Sequence, residues 1–269
     1  MPRRVRRSHT DRSRKVALVD QDFQPAEATL RFYPEAAVGG FPRTDGEIEF
    51  YLRVGSLVGP ESRVLDLGAG RGQWAIEPAP AIRRDVRHLK GTVREVVGCD
   101  VDPAVLDNPT LDRAVVTEPG DPLPFDDDSF DLVVADYVLE HVAREDVDGF
   151  VAEVVRVLRP GGWFAARTPN KWGLIGLGAR AVPNRWHTRV LHRLQPDRKD
   201  VDVFPTRYSM NTRRALRKWF AGHDVYIYGH GAVPTYFEQS KVAWHAASIF
   251  GRLTPRRLDS TLNIFVRVR

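Results

Sequence analysis

A short apolar segment followed at once by a glycine-rich turn constrains this chain more than any other feature. Residues 63–67 read RVLDL and predict a buried strand, and residues 68–72 read GAGRG. Glycines let the main chain turn tightly and approach a ligand with no Cβ in the way. A strand, a glycine-rich turn and a helix in that order are typical of nucleotide-type sites in doubly wound folds. The segment therefore predicts an α/β fold with a ligand site at the end of this strand.

Short apolar segments alternate with helical patterns along the rest of the chain. Further strands are predicted at 96–100, 115–116, 130–135, 163–168, 224–228 and 262–268. Helices are predicted at 46–58, 73–90 (interrupted by Pro78 and Pro80), 104–107, 144–158, 210–220 (with Ser209 as its N-cap) and 236–250. Such alternation indicates βαβ units. We expect a Rossmann-like, doubly wound, seven-stranded sheet that is mostly parallel and has an antiparallel last strand.

The chain divides into three regions by composition. Residues 1–15 carry seven Arg or Lys and one Asp, whereas the whole 269-residue chain has a net charge of only +5, so the rest is nearly neutral. We expect a basic, disordered head at 1–15, which could instead contact nucleic acid or an anionic membrane. An N-terminal helical segment is expected at 16–60. A single domain is expected at 61–269, with an inserted cap at 169–207 that is rich in Pro, Trp, His and Arg.

Composition excludes several classes of protein. No apolar run approaches 18 residues, so no membrane span is expected, and the basic N-terminus lacks the apolar stretch of a secretory signal. Cys99 is the only cysteine and cannot form an internal disulfide. A nearly neutral body argues against a broad nucleic-acid groove, which would need many cations. We therefore expect a cytoplasmic protein with no nucleic-acid partner.

Two acidic residues accompany the glycine-rich turn. Asp66 lies within the first strand and Asp100 ends the second. A carboxylate at the end of the second strand can accept both hydroxyls of a ribose. The dinucleotide pattern G-x-G-x-x-G is absent, and the early Asp66 suits a ligand with a cationic or amino end.

These segments together resemble the class I S-adenosylmethionine-dependent methyltransferases. The resemblance is carried by VLDLGAGRG (64–72), VVGCDVDP (96–103), LPFDDDSFDLVVADYVLEHV (123–142) and VLRPGGWF (157–164). It implies S-adenosyl-L-methionine as the cofactor. The implied cofactor-binding residues are Asp66 for the amino-acid end, Gly68, Gly70 and Gly72 for the methionine and ribose, Asp100 for the ribose, Val101 for the adenine ring, Glu118 or Asp121 for the adenine amino group, and Ala135 beside the methionine.

Some of these residues have a simpler structural interpretation. Asp66 could instead cap the helix that follows it. Asp102 is expected to cap the helix that begins at Pro103, because Asp before Pro is a common helix start. Cys99 is expected to be a small buried side chain.

His141 is the candidate catalytic base. It follows the fourth strand, and a histidine near neutral pH can remove the proton of a hydroxyl acceptor. It could equally be a hydrogen-bonded structural residue. Asp136, which ends the strand, could assist His141 or bind a hydroxyl. Asp136, Glu140 and His141 could also hold one Mg²⁺, because hard oxygen ligands suit that ion.

The acceptor is expected under the cap. The candidate substrate-binding residues are Asn170, Trp172, Trp186, His187, Arg207 and Tyr208; the tryptophans could instead pack the cap onto the sheet. The cap resembles actinobacterial sugar O-methyltransferases of methylmannose polysaccharide synthesis, which implies O-methylation of a saccharide or glycoside hydroxyl. Alternatives are methylation of a small molecule in secondary metabolism or quinone or lipid synthesis, nucleic-acid methylation, and a regulatory module that only binds the cofactor. The apolar 236–250 segment could join two subunits into a homodimer.

Overall fold

A seven-stranded sheet forms the centre of the molecule. The computed structural model describes residues 23–173, 206–231 and 255–269. The strands are β1 (Arg63–Leu67), β2 (Glu95–Asp100), β3 (Arg113–Val116), β4 (Phe130–Asp136), β5 (Leu158–Pro169), β6 (Asp224–His230) and β7 (Thr261–Arg267). Their spatial order is β3-β2-β1-β4-β5-β7-β6, and β7 runs antiparallel to both of its neighbours while the other pairs are parallel. The Rossmann-like sheet expected from the sequence is thus confirmed, including the direction of its last strand.

The strand order reverses between β1 and β4, and this position determines where a ligand can bind. From β1 the chain continues to β2 and β3 on one side of the sheet, and from β4 it continues to β5 on the other side. In open α/β sheets, ligands bind beyond the carboxyl ends of the strands at such a reversal. The glycine-rich turn after β1 and the residues after β4 meet at this point.

The described ranges contain six helices. They are α1 (Glu27–Phe32), α2 (Gly46–Ser56), α3 (Gln73–Ile76), α4 (Ala81–Arg87), α5 (Val147–Val157) and α6 (Arg213–Trp219), with 3₁₀ turns at Pro34–Ala37, Pro103–Asp107, Arg144–Asp146 and Arg256–Leu258. Helix α2 begins at Asp45, whose carboxylate accepts hydrogen bonds from the amides of Glu47 and Ile48, both at 3.0 Å. That cap satisfies amide groups that have no partner inside the helix.

Alternate side chains of the central strands enter two separate cores. Leu65, Val133 and Phe164 pack on one face with α5 and α6. Val64, Leu132 and Ala165 pack on the other with α2 and α4. The period of two follows from the pleat of the strands, because successive side chains point to opposite faces. Both faces of β4 are therefore buried, which explains its unbroken apolar sequence.

The structure corrects two element boundaries. The N-cap of α6 is Thr212, whose hydroxyl accepts from the amide of Ala215 at 3.1 Å, rather than Ser209. Strand β5 begins at Leu158, five residues before the predicted start, and its register with β4 shifts between Phe130 and Leu132. Residues 160–162 (PGG) therefore lie where the register of β5 with β4 shifts. Gly161 has a φ of 81° there, in the left-handed region that glycine adopts without strain.

Several expectations fall partly or wholly outside the described residues. These are the basic head at 1–15, most of the cap at 169–207, and the helix at 236–250. Within the expected 16–60 segment, α1 and α2 are helical, and α2 corresponds to the helix predicted at 46–58. None of the helices in the described ranges has both the length and the apolar character that crossing a bilayer requires.

Candidate active site

The glycine-rich turn is held against the end of β2 by main-chain hydrogen bonds. The amide of Gly68 donates to the carbonyl of Cys99 at 2.8 Å. The amide of Gly70 donates to Asp100 Oδ2, also at 2.8 Å. Gly68, Gly70 and Gly72 have φ angles of 73°, 51° and 67°, in the left-handed region that only glycine adopts readily. The sequence of the turn is therefore dictated by its backbone.

The surroundings of the three glycines show where a ligand can approach. A Cβ on Gly68 would collide with the Val138 side chain, and one on Gly72 would collide with Asn108. A Cβ on Gly70 would have no atom within 4 Å. The first and third glycines thus permit close packing within the protein, whereas the middle one faces open space.

Asn108 holds this turn in place by hydrogen bonds, and the sequence analysis did not identify it. Its side-chain amide donates to the carbonyls of Ala69 at 3.1 Å and Gly70 at 3.0 Å. Its Oδ1 accepts from the amide and the hydroxyl of Thr110 at 2.9 and 2.7 Å. Every polar atom of this buried amide is therefore engaged. No sequence signal identified Asn108, because its contacts join residues 38 and 39 positions apart.

The end of β2 offers the groups that a nucleoside needs. Asp100 Oδ1 accepts from the amide of Asp102 at 2.9 Å, so both carboxylate oxygens are fixed in place. Val101 follows it and is 41% exposed, which is unusual for an apolar side chain at the end of a buried strand. The fixed carboxylate and the exposed apolar surface fit a ribose and an adenine ring. This arrangement is compatible with the S-adenosylmethionine site expected from the sequence.

The candidates for the adenine amino group lie beyond β3. Glu118 and Asp121 are both exposed, and the amide of Asp121 donates to the carbonyl of Glu118 at 3.3 Å. The turn begins where Thr117 donates its amide to the carbonyl of Asp100 at 2.9 Å. Both carboxylates therefore lie on the same edge as Asp100, and the geometry does not choose between them.

The neighbouring residues with predicted structural roles behave as expected. Asp102 caps the 3₁₀ turn at Pro103–Asp107 by accepting from the amide of Ala104 at 2.9 Å. Cys99 is fully buried in the core. The alternative role for Asp66 as a helix cap is wrong, because Gly72 occupies the N-cap position of α3.

Asp66 is a partly buried carboxylate with an unusual proton affinity. Its pKa is raised to about 7, chiefly by burial; the Arg87 guanidinium opposes this rise, and the charges of Asp136 and Asp100 add to it. Its side chain lines a water-sized cavity of about 20 Å³ together with Tyr51, Trp74 and Arg87. Carboxyl groups with strongly raised pKa values concentrate at functional sites. Ala135, in contrast, is fully buried in the core, so only its main chain can border a ligand.

Asp136 belongs to a buried ion-pair network rather than to a pair with His141. Arg167 donates to both of its oxygens, through Nε at 2.7 Å and Nη2 at 2.6 Å. The Tyr51 hydroxyl donates at 3.0 Å, and Arg87 Nη2 lies 3.4 Å away. Burial alone would raise the pKa of Asp136, but the Arg167 charge and the hydrogen bonds outweigh it, and the pKa is lowered.

This network favours a structural role for Asp136 over the expected catalytic one. A carboxylate whose oxygens are already paired with arginine is a poor proton acceptor at neutral pH. Tyr51 and Arg167 were both missed from the sequence. Their charges and rings meet only after α2 folds onto the sheet, with the Arg167 guanidinium 5.5 Å from the Tyr51 ring centre.

Tyr137 is a further residue that the sequence did not predict as part of the site. It directly follows β4 with a φ of 59°, and a bulky residue in that left-handed region is strained. Its amide donates to the carbonyl of Arg167 at 2.9 Å, and its ring lies 5.3 Å from the Arg167 guanidinium. The side chain is nevertheless 43% exposed. It therefore presents an aromatic surface at the carboxyl edge of the sheet.

The turn that carries His141 packs directly on the glycine-rich turn. The amide of His141 donates to the carbonyl of Val138 at 2.9 Å. The Val138 side chain occupies the space that a Cβ on Gly68 would need. The candidate base His141 is therefore three residues along the chain from Val138, which contacts the expected cofactor site directly.

The candidate substrate residues divide into four groups. Arg207 and Tyr208 lie beside the His141 turn, because their amides donate to the carbonyl of Glu140 at 2.6 and 3.3 Å. Trp172 follows the end of β5 by three residues, and it is 51% exposed. Asn170 is buried, with its amide donating to the carbonyls of Arg257 and Asp259 at 3.0 and 2.8 Å, which favours a structural role. Trp186 and His187 lie outside the described residues.

The Mg²⁺ hypothesis gains no support. In the part of the chain that the structure describes, no three His, Cys, Asp or Glu side chains come close enough to hold a metal ion. Asp136 is paired with Arg167, whereas Glu140 accepts from the Thr168 hydroxyl at 3.0 Å. The two carboxylates thus have different partners and do not converge on one point.

Comparisons with known proteins agree with this fold. Residues 65–166 match the protein family described as "Methyltransferase domain". The chain is 34% identical over 136 residues to the sterol 24-C-methyltransferase erg6 of Schizosaccharomyces pombe, covering 50% of this chain and 34% of that protein. It is 36% identical over 137 residues to a probable S-adenosylmethionine-dependent methyltransferase of Mycolicibacterium smegmatis, covering 48% of this chain and 46% of that protein.

A solved structure shows the same fold. A SAM-dependent methyltransferase from Archaeoglobus fulgidus superposes with a TM-score of 0.50 at 16% identity, covering 88% of this chain and 99% of that one. Residues 65–166 are therefore similar in sequence to methyltransferase domains, and the sheet has the fold of the solved methyltransferase. The chain spans between a third and a half of the length of the two curated relatives described above.

Proposed function

We propose that this protein transfers a methyl group from S-adenosylmethionine to a hydroxyl of a saccharide or glycoside. The observation that carries the proposal is the contact between the two turns. Val138 of the His141 turn packs on Gly68 of the glycine-rich turn, so a base and a methyl-donor site share one edge of the sheet. Proximity of that kind supplies much of the rate of a displacement reaction.

The residues of the glycine-rich turn and of β2 would hold the methyl donor. Asp100 would accept the ribose hydroxyls, Val101 would pack against the adenine ring, and Asp66 would orient the amino-acid end. When bound, S-adenosylmethionine supplies a methyl group on a positively charged sulfur, so its leaving group needs no further activation. The carboxylate of Asp66 and the fixed position of Asp100 suit that positively charged ligand.

His141 would take the proton from the acceptor hydroxyl. A hydroxyl is a poor nucleophile while it keeps its proton, and a positioned general base accelerates such reactions by roughly 10²- to 10⁴-fold. Arg207 and Tyr208 would bind the acceptor, because their main chain is fastened beside His141. The exposed rings of Tyr137 and Trp172 offer flat apolar surfaces on which a sugar ring can pack.

A lipid acceptor is the second candidate, and a specific match favours it. Over 45 residues the chain is 56% identical to the phthiotriol/phenolphthiotriol dimycocerosates methyltransferase of Mycobacterium tuberculosis, covering 16% of this chain. That short match lends the lipid alternative weight, because two of the relatives named here are a sterol methyltransferase and a lipid methyltransferase. Acceptor chemistry must therefore be tested directly.

The test is methyl transfer from radiolabelled S-adenosylmethionine to a panel of acceptors. The panel holds mannosides and glucosides, some already methylated, beside sterols, phenols, quinols and RNA, each with and without Mg²⁺ and chelator. We expect label in a saccharide hydroxyl and no effect of the chelator. Label only in a sterol, phenol or quinol would replace the saccharide acceptor with the second candidate, and label only in RNA would exclude both.

A further inference from the structure

Glu140 is buried beside His141, although its side chain belongs to none of the groups assigned above. It is 3% exposed, and its carboxylate accepts from the Thr168 hydroxyl at 3.0 Å. The Thr168 hydroxyl in turn accepts from the side-chain amide of Asn211. A carboxylate from the β4 turn is thus linked through β5 to the residues that precede α6.

The main chain of Glu140 makes a second connection. Its carbonyl accepts from the amides of Arg207 and Tyr208, and Tyr208 has a left-handed φ of 53°. The strained backbone of a bulky residue persists only where its surroundings fix it. One residue therefore holds the 206–211 stretch by its carbonyl and, through Thr168, by its side chain.

Residues at and after the end of β5 belong to the same hydrogen-bond network. The Lys171 amide donates to the carbonyl of Asn211 at 2.9 Å, and the Asn211 side chain donates to the carbonyl of Pro169 at 3.2 Å. Asn170 links this stretch to the carbonyls of Arg257 and Asp259. The described stretches 169–173 and 206–211, which carry the exposed acceptor candidates, are thus joined to each other and to Glu140.

We infer that Glu140 is a positioning residue that holds the acceptor-binding stretches 169–173 and 206–211 beside His141. This inference rests on the proposed function, because it assumes that the acceptor binds between those stretches and His141. The proposed cofactor residues lie in β1, β2 and β4 and in the turns after β1, β2 and β3, and they share no hydrogen bond with this network among the contacts described above. Glu140 should consequently influence acceptor binding and leave cofactor binding unchanged.

Three variants separate this role from a general contribution to folding. Glu140→Ala removes the acceptor for Thr168, whereas Glu140→Gln keeps an oxygen that can accept the same hydrogen bond. Glu145→Ala is the matched control, because Glu145 is an exposed carboxylate five residues further along. All three are compared with the unaltered protein by cofactor calorimetry and by steady-state kinetics with the best panel acceptor.

We expect Glu140→Ala to raise the acceptor KM at least tenfold while the dissociation constant for S-adenosylmethionine stays within twofold. Glu140→Gln should recover most of the acceptor affinity, and Glu145→Ala should match the unaltered protein. Equal losses of acceptor and cofactor binding, or no recovery in Glu140→Gln, would overturn the inference in favour of a merely structural role.

Hydrogen exchange tests the same inference without any acceptor. Glu140→Ala should speed exchange of the amides in 168–171 and 207–211 and leave those of 68–72 protected as before. Unchanged exchange in the first two stretches would overturn the positioning role. Because this readout needs no turnover, it stands even if every acceptor in the panel fails and the proposed function is rejected.

Discussion

At the scale of single residues, the candidate active site combines groups with contrasting tasks. Asp100 has both oxygens fixed by main-chain amides, Asp66 is a carboxyl group with a pKa of about 7, and His141 lies on the turn that covers Gly68. These differences allow the ribose, ammonium and proton-transfer roles to be tested separately by single substitutions.

His141→Ala should preserve cofactor binding and reduce methyl transfer by roughly two to four orders of magnitude, the usual contribution of a general base. Turnover with a panel acceptor and calorimetry with S-adenosylmethionine measure the two effects independently. His223→Ala is the control, because His223 lies next to β6 and contacts the amide of Arg269 at 3.3 Å. Turnover of His141→Ala close to that of the control would remove His141 from the catalytic role.

Asp100→Ala should weaken cofactor binding by roughly 10- to 100-fold, since hydrogen bonds to charged groups contribute about 1.5–3 kcal/mol. Calorimetric titration with S-adenosylmethionine measures the loss. Asp102→Ala, which removes only the cap of the 3₁₀ turn, should cost much less affinity. If both variants bound the cofactor equally well, the ribose assignment would be wrong.

At the scale of elements, the buried ion-pair network fastens α2 and α4 to the sheet. Tyr51 of α2 and Arg87 of α4 reach Asp136 at the end of β4, and Arg167 of β5 completes the network. Helices α2 and α4 are therefore held beside the carboxyl end of β4. Their docking depends on charges that are largely removed from bulk water.

Asp136→Asn should destabilise the protein by about 3–5 kcal/mol, because it leaves the buried Arg167 guanidinium without its carboxylate. Urea unfolding of the unliganded protein measures the change. Asp224→Asn breaks the exposed pair between Asp224 and Arg269 and should have a much smaller effect. Equal losses of unfolding free energy from the two substitutions would show that the Asp136 network stabilises the protein no more than an exposed ion pair does.

At the scale of the whole molecule, the sequence predicted the sheet better than the site. Apolar segments and the glycine-rich turn are local patterns, so β1 and β4 were predicted to within a residue. Asn108, Tyr137 and Arg167 act through contacts across 30 or more positions or through backbone strain, neither of which has a local sequence pattern. The same reason accounts for Asp136, whose arginine partner could not be inferred from neighbouring residues.

The pH dependence of stability also belongs to the whole molecule, because it reflects both folded and unfolded states. Asp66 has a pKa of about 7 when folded and an ordinary value of 3.8 when unfolded. Between these values the folded state binds a proton that the unfolded state has lost. The contribution of Asp66 to the free energy of unfolding therefore falls as pH rises from about 4 to about 7.

Asp66→Asn should remove this fall, since an amide does not titrate. The variant and the unaltered protein should have similar stability near pH 4.5, and the variant should be more stable at pH 8. The difference can reach ~4 kcal/mol, from 1.36 kcal/mol for each pKa unit. Urea unfolding at several pH values measures it, and parallel curves would show that Asp66 keeps an ordinary pKa. A stabilised variant with weakened S-adenosylmethionine binding would mean that the buried carboxylate destabilises the fold but is required for the ligand, as expected of a group placed for function.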